Sequence, residues 1–556
     1  MNNVTKLEEA AAALKRKRKA SADESSQPPA GRAITGGFAA DGRPMILHDN
    51  GRQHEILNAT GQAIAEADLG VYVHGENLKR LHVAPLDTLV DRPQGALILI
   101  DITPPHLAEL AGMAAAHMKF DGTLKRDKPI DFPLRQATAY LARGHFPEQR
   151  HLAGFSEHPT ITLDGRLLDR PGYDADSRLF LAFDHIPGYR TPGRTRDEAL
   201  QAVELLQEAV STFPFKEPCD MAAMTALMIS GCIRRAMPSA PHVPIISHTP
   251  GAGKSLLAET PSLMATGRRP AVLALGPDEA ENEKRLAGVM AAGDQFVNAD
   301  NIEHKVGGVI LNQSATQPWV RLRLLGGKDM YTLPTNFTLT MTGNNIQVVG
   351  DYKRRVAPVR IDPKVERPEL RRFERNHVDY VLKKRGELLT AALTIPLAYM
   401  AAGCPDVGLT PFGSFEEWDR LVRRPLVWLG NPDPLAASAE MRDADPDLES
   451  LRQFMTECLT LYKQQDFTAA DVVADAMETM REATGKSTGI AIRPALRDAV
   501  RTVCRDKPSS SSLGYWLRCH RDRIVDDLCI VRSGNDKHSK VARWRIQSAG
   551  DAGYCG

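Results

Sequence analysis

A glycine-rich segment that ends in lysine and serine, residues 250–255 with the sequence PGAGKS, carries the residue types best suited to chemistry in this chain. Glycines let backbone N–H groups close around phosphate oxygens, a lysine here reaches the β- and γ-phosphates, and a serine hydroxyl ligates Mg²⁺. An apolar run precedes the segment and a helical pattern follows it, which predicts a strand, a phosphate loop and a helix. We therefore predict a nucleoside triphosphate site. The expected nucleotide contacts are Pro250, Gly251, Ala252, Gly253, Lys254, Ser255 and Leu256.

The match to a phosphate-loop pattern has one departure, because His248 stands where the full pattern has its first glycine. A second Gly-Lys-Ser occurs at residues 485–487, but it follows a polar helical stretch and no apolar strand. We interpret that second occurrence as a helix end. The surrounding strand and helix favour Lys254 as the phosphate-binding lysine.

Polar side chains also follow two later apolar runs. Asp300 directly follows the run 295–299, and Asn344 and Asn345 come just after the run 337–342. An NTPase needs a carboxylate at the tip of the strand beside the phosphate loop, where it holds Mg²⁺. We predict that Asp300 has this role, that Ser255 and Asp300 form the metal site, and that Asn344 lies near the γ-phosphate and orients water.

Two further roles have several candidates. Many NTPases place a glutamate after the metal-binding aspartate to activate the attacking water, but this chain has Asn301 there. Candidates for the base are Glu303, Glu281 and Glu283. An arginine from a neighbouring subunit would stabilise charge on the transferred phosphoryl group. Candidates for this arginine are Arg354 and Arg355, with Arg321 and Arg323 as further residues for contacts between subunits.

Strand and helix patterns alternate through this part of the chain. Such alternation predicts a mostly parallel sheet covered on both faces, with ligands at the carboxyl ends of the strands. Strands are predicted at 243–246, 271–275, 295–299, 337–342 and 356–361, and helices at 197–210, 222–237, 256–264 and 277–292.

The ordered set of motifs resembles the ATPase of primase-helicase proteins from phages, plasmids and integrative elements, which are related to AAA+ ATPases and superfamily 3 helicases. The motifs are PGAGKS at 250–255, ENEKRL at 281–286, ADN at 299–301, TGNN at 342–345 and GDYKRRV at 350–356. DG at 164–165, PGYD at 171–174, FEEW at 415–418 and LVWLGNPDP at 426–434 extend the likeness over most of residues 45–460. The resemblance implies a cytoplasmic ATPase that forms a hexameric ring and uses ATP and Mg²⁺. It also implies action on single-stranded or forked DNA together with a primase or replication-initiation partner.

The C-terminal part predicts a winged-helix domain. Helices are expected from Thr468 as N-cap, over 492–503 and from 512, and two strands at 526–531 and 541–546 flank a polar turn. Basic residues on the third helix and the turn suit contacts to DNA phosphates, although a domain for protein contacts is the alternative. The expected DNA contacts are Arg518, Arg521, Arg523, Lys537 and Lys540, with His520 and Arg532 beside them.

Length and composition set the limits of this interpretation. With 556 residues the chain is too long for one core, and its 42% apolar and 25% charged residues are typical of soluble globular proteins. The eight cysteines show no zinc-ligand spacing, so a zinc-binding primase module is not expected, and no run of residues resembles a membrane span. The predicted division is a disordered leader (1–43), an α+β domain (44–190), a P-loop AAA+/superfamily 3-like domain (195–380), a helical lid or linker (381–462), a winged-helix domain (463–548) and a tail (549–556).

Three functions fit these features. The first is an ATP-dependent DNA helicase or translocase in the replication of a mobile element. The second is an ATPase switch or loader that remodels protein partners without unwinding. The third is a nucleic-acid-binding scaffold with a degenerate ATPase. This function stays possible because Asn301 stands where many NTPases have the water-activating glutamate.

Overall fold

A computed structural model describes residues 33–84, 90–323, 330–344, 346–365, 367–368, 375–443, 446–481, 487–505, 507–536 and 541–548. Asn345, Lys537 and Lys540 of the predicted site residues lie outside this part of the chain. The fold is a mixture of helices and sheets, and contacts divide it into two compact units, Met1–Ser438 and Ala439–Gly556. Within the described residues, no helix is long and apolar enough to cross a membrane.

A five-stranded sheet in which every pairing is parallel lies in the first unit. Parallel pairing brings the carboxyl ends of all five strands to one edge of the sheet. The buried strands read as nearly continuous apolar runs, as expected where both faces are covered. In spatial order the strands are Ala271–Leu273, Phe296–Ala299, Thr338–Asn344, Val243–Ser247 and Val359–Arg360.

Helices connect these strands and pack against them. The helix Lys254–Thr266 follows the strand Val243–Ser247 directly, and apolar residues of both belong to the main core of the unit. The helix Arg196–Val210 begins with a capping box in which Thr195 and Glu198 satisfy each other's backbone N–H groups. The remaining helices of this region are Pro218–Ile233, Glu279–Ala292, Val309–Thr316, His377–Lys383 and Arg385–Ala401, with shorter turns at Gly350–Arg355, Glu416–Trp418, Asp419–Arg423 and Arg424–Trp428.

The predicted position of Asp300 on the strand next to Val243–Ser247 is wrong. The strand Thr338–Asn344 lies between them and pairs with both Val243–Ser247 and Phe296–Ala299. Its first six residues are all buried, as expected for a strand with a partner on each side. Two further elements were not predicted from the sequence: a hairpin of Trp319–Arg323 with Met330–Pro334, and a short parallel pair of Lys305–Val306 with Gln347–Val348.

The N-terminal part of the first unit is built from helices and small sheets around a separate core. Its first strand, Thr35–Phe38, begins within the stretch predicted as a leader. The helix Pro104–Ala114 ends just before Ala116–Asp121, a strand that pairs with Pro44–Leu47. One sheet of this part contains Thr35–Phe38, Pro44–Leu47, Ala116–Asp121 and Arg126–Pro129, and a second contains Leu97–Asp101, Asn77–Val83, Tyr72–His74 and Arg150–His151. A third sheet contains Gly172–Asp174, Leu179–Leu181 and Gly154–Ser156, and the strand Thr160–Ile161 pairs with Leu167–Leu168. Two further helices of this part are Gln53–Glu66 and Leu134–Leu141.

The second unit combines helices with an antiparallel sheet around its own core. Thr468 caps the helix Ala469–Met477 by accepting from the backbone N–H of Asp471, as predicted. The helix Pro446–Tyr462, which sequence analysis assigned to the lid or linker, packs into this core. Its other helices are Pro494–Val503 and Ser510–Cys519; its sheet has the order Phe467–Thr468, Ala542–Ser548, Leu528–Asn535 and Ile524–Val525; and Thr479–Arg481 pairs with Ser487–Ala491. The helix Ala436–Asp443 spans the division between the units.

Candidate functional site

The loop between Val243–Ser247 and Lys254–Thr266 is shaped by its glycines. Gly251 and Gly253 have φ values of 70° and 95°, in the left-handed region that favours glycine. A Cβ atom on Gly253 would lie 2.9 Å from the ring of Phe213, so a side chain there would also collide with a buried aromatic residue. The helix starts at Lys254, and its unpaired N-terminal N–H groups therefore point towards the loop, as in an anion-binding site.

The side chain of Lys254 lies at the edge of the sheet where Asn344 ends its strand. Its Nζ donates hydrogen bonds to Asn344 Oδ1 at 2.8 Å and to the carbonyl of Thr249 at 3.2 Å. This contact follows from strand register, because Ser247, the last residue before the loop, pairs with Asn344. Burial lowers the pKa of Lys254, and the negative charge of Asp300 opposes that shift.

Asp300 lies beside the start of the same helix, although its strand is not adjacent to Val243–Ser247. Ser255 Oγ is 3.4 Å from Asp300 Oδ1, and Thr342 Oγ1 donates a hydrogen bond to the same carboxylate oxygen. Gly343 permits this arrangement, because a Cβ atom there would lie 2.2 Å from the carbonyl oxygen of Ile302. A hydroxyl and a carboxylate oxygen are ligands that Mg²⁺ accepts together with substrate phosphates, so these residues fit the metal that was predicted here.

Two of the three candidate bases have partners in the structure. Asn301 adopts a left-handed conformation with φ 53° and donates from Nδ2 to Glu303 Oε1 at 3.3 Å. Glu281 contacts Lys284 and Arg285 on its own helix at 3.5 and 3.4 Å. Glu281 and Glu283 lie in the first two turns of Glu279–Ala292, which follows the edge strand of the sheet. Glu303 is therefore the candidate joined to the segment that carries Asp300.

Arg354 and Arg355 share one partner on the short helix Gly350–Arg355. Asp351 forms ion pairs with the guanidinium groups of both residues. The side chain of Arg354 is 55% exposed, whereas that of Arg355 is 16% exposed. The arginine charges lower the pKa of Asp351, with the hydrogen bond from Arg354 as the largest cause. Arg321 and Arg323 are exposed on the hairpin strand Trp319–Arg323.

Three residues around the loop were not predicted from the sequence. Thr342 contacts Asp300, and Phe213 lies under Gly253 and packs edge-on against His377 at 4.9 Å between ring centroids. Glu259 lies one turn beyond Ser255 on the same helix; burial raises its pKa, and its carboxylate pairs with Arg269 at 3.2 Å. Thr342 begins the TGNN motif and directly precedes Gly343 and Asn344, so its place in that motif and near a strand end was the signal that could have found it.

Of the basic residues predicted to contact DNA, Arg518, Arg521 and Arg523 lie in or just after the helix Ser510–Cys519 of the second unit. Arg518 is exposed on Ser510–Cys519, next to the exposed ring of Tyr515. The prediction that this helix also carries His520, Arg521 and Arg523 is wrong, because it ends at Cys519 and Asp522 turns into the left-handed region with φ 64°. Arg521 pairs with Asp522 at 2.8 Å, and Arg523 is exposed. Lys537 and Lys540 lie outside the described residues.

No protein-family model and no curated protein matches this sequence. Two solved structures with similarity are the A form apo structure of the NrS-1 C-terminal region and that of the NrS-1 C-terminal region 305–718. The first has a TM-score of 0.36 and 10% identity and covers 79% of this chain and 98% of the other. The second has a TM-score of 0.33 and 12% identity and covers 80% of this chain and 99% of the other. At these scores the similarity adds nothing to what the geometry of the site supports.

Proposed function

We propose that this protein is an ATPase of the AAA+ and superfamily 3 type that binds ATP with Mg²⁺, assembles as a hexameric ring and moves along or unwinds DNA. The observation that carries the proposal is the meeting of Lys254, Ser255, Asp300 and Asn344 at the carboxyl edge of a parallel sheet. These residues come from two strand ends and one helix start, and they supply a cation, two metal-binding oxygens and an amide. That is the set of groups that phosphoryl transfer requires.

Each residue has a defined part in the proposed reaction. The backbone N–H groups of residues 250–256 bind the phosphates, and Lys254 exchanges its contact to Asn344 for the γ-phosphate. Asn344 is then free to orient the attacking water. Glu303 accepts a proton from that water while the water oxygen bonds to the γ-phosphorus and ADP leaves.

A bound Mg²⁺ would neutralise charge on the β- and γ-phosphate oxygens. Ser255 and Asp300 are the residues that would hold it, and Thr342 keeps the Asp300 carboxylate oriented towards Ser255. Arg354 of a neighbouring subunit would complete the site, because its side chain is the more exposed of the arginine pair. Hydrolysis would then depend on assembly.

The second unit supplies the proposed contact to DNA. Its helices and antiparallel sheet support the proposal of a winged helix, in which Ser510–Cys519 would be the helix before the strand pair. Arg518, Arg521 and Arg523 would bind backbone phosphates, for which arginine is well suited. This role would make binding sensitive to salt.

ATP hydrolysis measured with and without single-stranded DNA tests the proposal. We expect DNA-stimulated hydrolysis in the wild type, loss of it in Lys254→Ala, and little change in Lys128→Ala, whose lysine pairs with Asp121 at the surface. Strand displacement on a forked duplex would identify a helicase. A rate of hydrolysis that is the same with and without DNA would instead support a switch or loader. Absence of hydrolysis with Mg²⁺ present would contradict the proposal that the protein is an ATPase.

A further inference from the structure

A cavity of about 430 Å³ in the first unit has a lining that shares no residue with the proposed nucleotide site. This volume lies within the range of small-molecule sites. The cavity is formed where the base of the hairpin Trp319–Arg323 and Met330–Pro334 meets segments of the N-terminal part. Its polar and aromatic lining consists of Trp319, Thr332, Arg178, His151 and Glu76, and its other lining residues are Val73, Gly75, Leu152 and Ala153.

Trp319 is a large aromatic side chain with an unusual degree of exposure, 47%. The strand that it begins alternates strictly, with Val320 and Leu322 buried and Trp319, Arg321 and Arg323 exposed on the other face. Residues two apart on a strand are about 7 Å apart, so the two guanidinium groups follow the indole along one face. An exposed indole in line with two cations suits a ligand that has both flat rings and negative charge.

The wall opposite the hairpin is fixed by hydrogen bonds. The backbone N–H of Ala153 donates to the carbonyl of Arg178 at 2.8 Å, and that of Leu152 donates to the carbonyl of Val73 at 2.8 Å. The side chain of Asn336, just past the hairpin, donates to the carbonyl of Ala153 at 3.3 Å. These hydrogen bonds therefore fix one wall of the cavity and join the hairpin to the N-terminal part.

We propose that this cavity binds a nucleobase of single-stranded DNA, with the base stacked on the indole of Trp319 and an adjacent phosphate bound by Arg178. The inference deepens the proposed function, on which it rests for the choice of DNA. Aromatic platforms beside cations bind single strands in a sequence-tolerant way, because every base has a flat face. Glu76 is the one acidic residue in the lining, and its carboxylate can accept from an amino group at the base edge. Arg321 and Arg323 then follow the strand as it leaves the cavity.

Fluorescence anisotropy of a labelled single-stranded oligonucleotide of mixed sequence, measured without nucleotide, tests this site. We expect Trp319→Ala to weaken binding by about 10-fold or more, as for other stacked bases, and Trp319→Phe to stay close to the wild type because it keeps a ring. Phe38→Ala is the matched control, since Phe38 is 73% exposed but does not line the cavity. Thermal unfolding checks that each variant is folded.

A second oligonucleotide with abasic residues makes the test specific for stacking. The wild type should bind it more weakly, and Trp319→Ala should cause no further loss, because the stacked group is absent from both. Equal binding of mixed-sequence DNA by wild type and Trp319→Ala would overturn the inference, while DNA-stimulated hydrolysis in the same wild-type protein would leave the proposed function standing. An effect of Trp319→Ala on subunit assembly alone would also overturn it and assign the face to a second copy of the chain.

Discussion

At the residue scale, the orientation of Asp300 is set by Thr342, a residue of the TGNN motif for which no role was predicted. Thr342 is almost fully buried on a strand with partners on both sides, and its hydroxyl donates to the Asp300 carboxylate. We predict that Thr342→Val lowers ATP hydrolysis by about 10- to 100-fold, the usual effect of removing a residue that orients a metal ligand. The Mg²⁺ concentration for half-maximal hydrolysis should rise as well. Hydrolysis measured over a Mg²⁺ series checks both effects.

Thr340→Val is the matched control for this variant. Thr340 is also buried, lies two residues earlier on the same strand, and contacts Asn298 rather than Asp300. If Thr340 supports only the sheet, the Thr340→Val variant should unfold more easily, but its hydrolysis should depend on Mg²⁺ concentration as that of the wild type does. An equal loss of hydrolysis in both variants would mean that Thr342 acts through packing and not through the carboxylate.

The identity of the water-activating base is a second question at this scale. We predict that Glu303→Gln lowers the rate of hydrolysis by about 100-fold or more while ATP binding is retained, because a general base contributes about that much. Glu281→Gln and Glu283→Gln should have much smaller effects, and Glu281 is already held by Lys284 and Arg285. Single-turnover hydrolysis and nucleotide binding, measured for the three variants, identify which glutamate is the base. A large loss in either of the other two with normal activity in Glu303→Gln would reassign the base.

At the scale of elements, the helix that begins at Lys254 is also held at its other end. Arg385 donates hydrogen bonds to the carbonyls of Met264 and Ala265, in the last turn of the helix, and to the carbonyl of Glu157. A cation at a helix C-terminus is favourable, and these carbonyls have no further helical partner. We predict that Arg385→Ala lowers the free energy of unfolding by about 2 kcal/mol or more. Urea unfolding measures the loss.

Lys384→Ala provides the comparison for Arg385→Ala. Lys384 is adjacent in sequence, but its ammonium group pairs with Glu387, at 2.7 Å, on a partly exposed surface. Pairs of this kind contribute about 0–1 kcal/mol. If the two variants unfolded at the same urea concentration, the contacts of Arg385 to the end of the helix would not matter for stability.

The elements around the site could be predicted from the sequence, but their spatial order could not. Periodicity located Val243–Ser247, Lys254–Thr266 and Thr338–Asn344 to within a few residues, since apolar patterns are local. The insertion of Thr338–Asn344 between Val243–Ser247 and Phe296–Ala299 depends on which strand gains most from having two partners, and that is a property of the whole sheet. The contact between Thr342 and Asp300 depends on that order and was missed for the same reason. The roles of Lys254, Asp300 and Asn344 remain predictions that their meeting supports.

At the scale of the whole molecule, acid should weaken the first unit in particular. Burial lowers the pKa of six histidines from about 6.5, so the unfolded chain binds more protons than the folded one as pH falls below 6.5. We predict a falling urea midpoint between pH 6.5 and 5 and a flatter pH dependence in His242→Gln, which removes one of the six groups. A midpoint that stays constant over this range would contradict the prediction. The pKa values are about 4 for His48, His74, His117, His158 and His377 and about 3 for His242.

Assembly into a ring gives the last prediction, which concerns the arginine pair. Arg354 is bound to Asp351 in a half-exposed ion pair, and such pairs are worth only about 0–1 kcal/mol, so a phosphate of a neighbouring subunit can replace the carboxylate at little cost. Arg355 is held deeper, with 16% of its side chain exposed, and would position the helix Gly350–Arg355 instead. We predict that Arg354→Ala and Lys254→Ala subunits, each inactive alone, recover about a quarter of wild-type hydrolysis when mixed equally, because a site is complete wherever an intact Lys254 meets an intact Arg354 of its neighbour. Hydrolysis measured over a series of mixing ratios checks this, with each variant alone as the control. No recovery at any ratio would contradict a contact between subunits, and recovery only with Arg355→Ala in place of Arg354→Ala would assign the contact to Arg355.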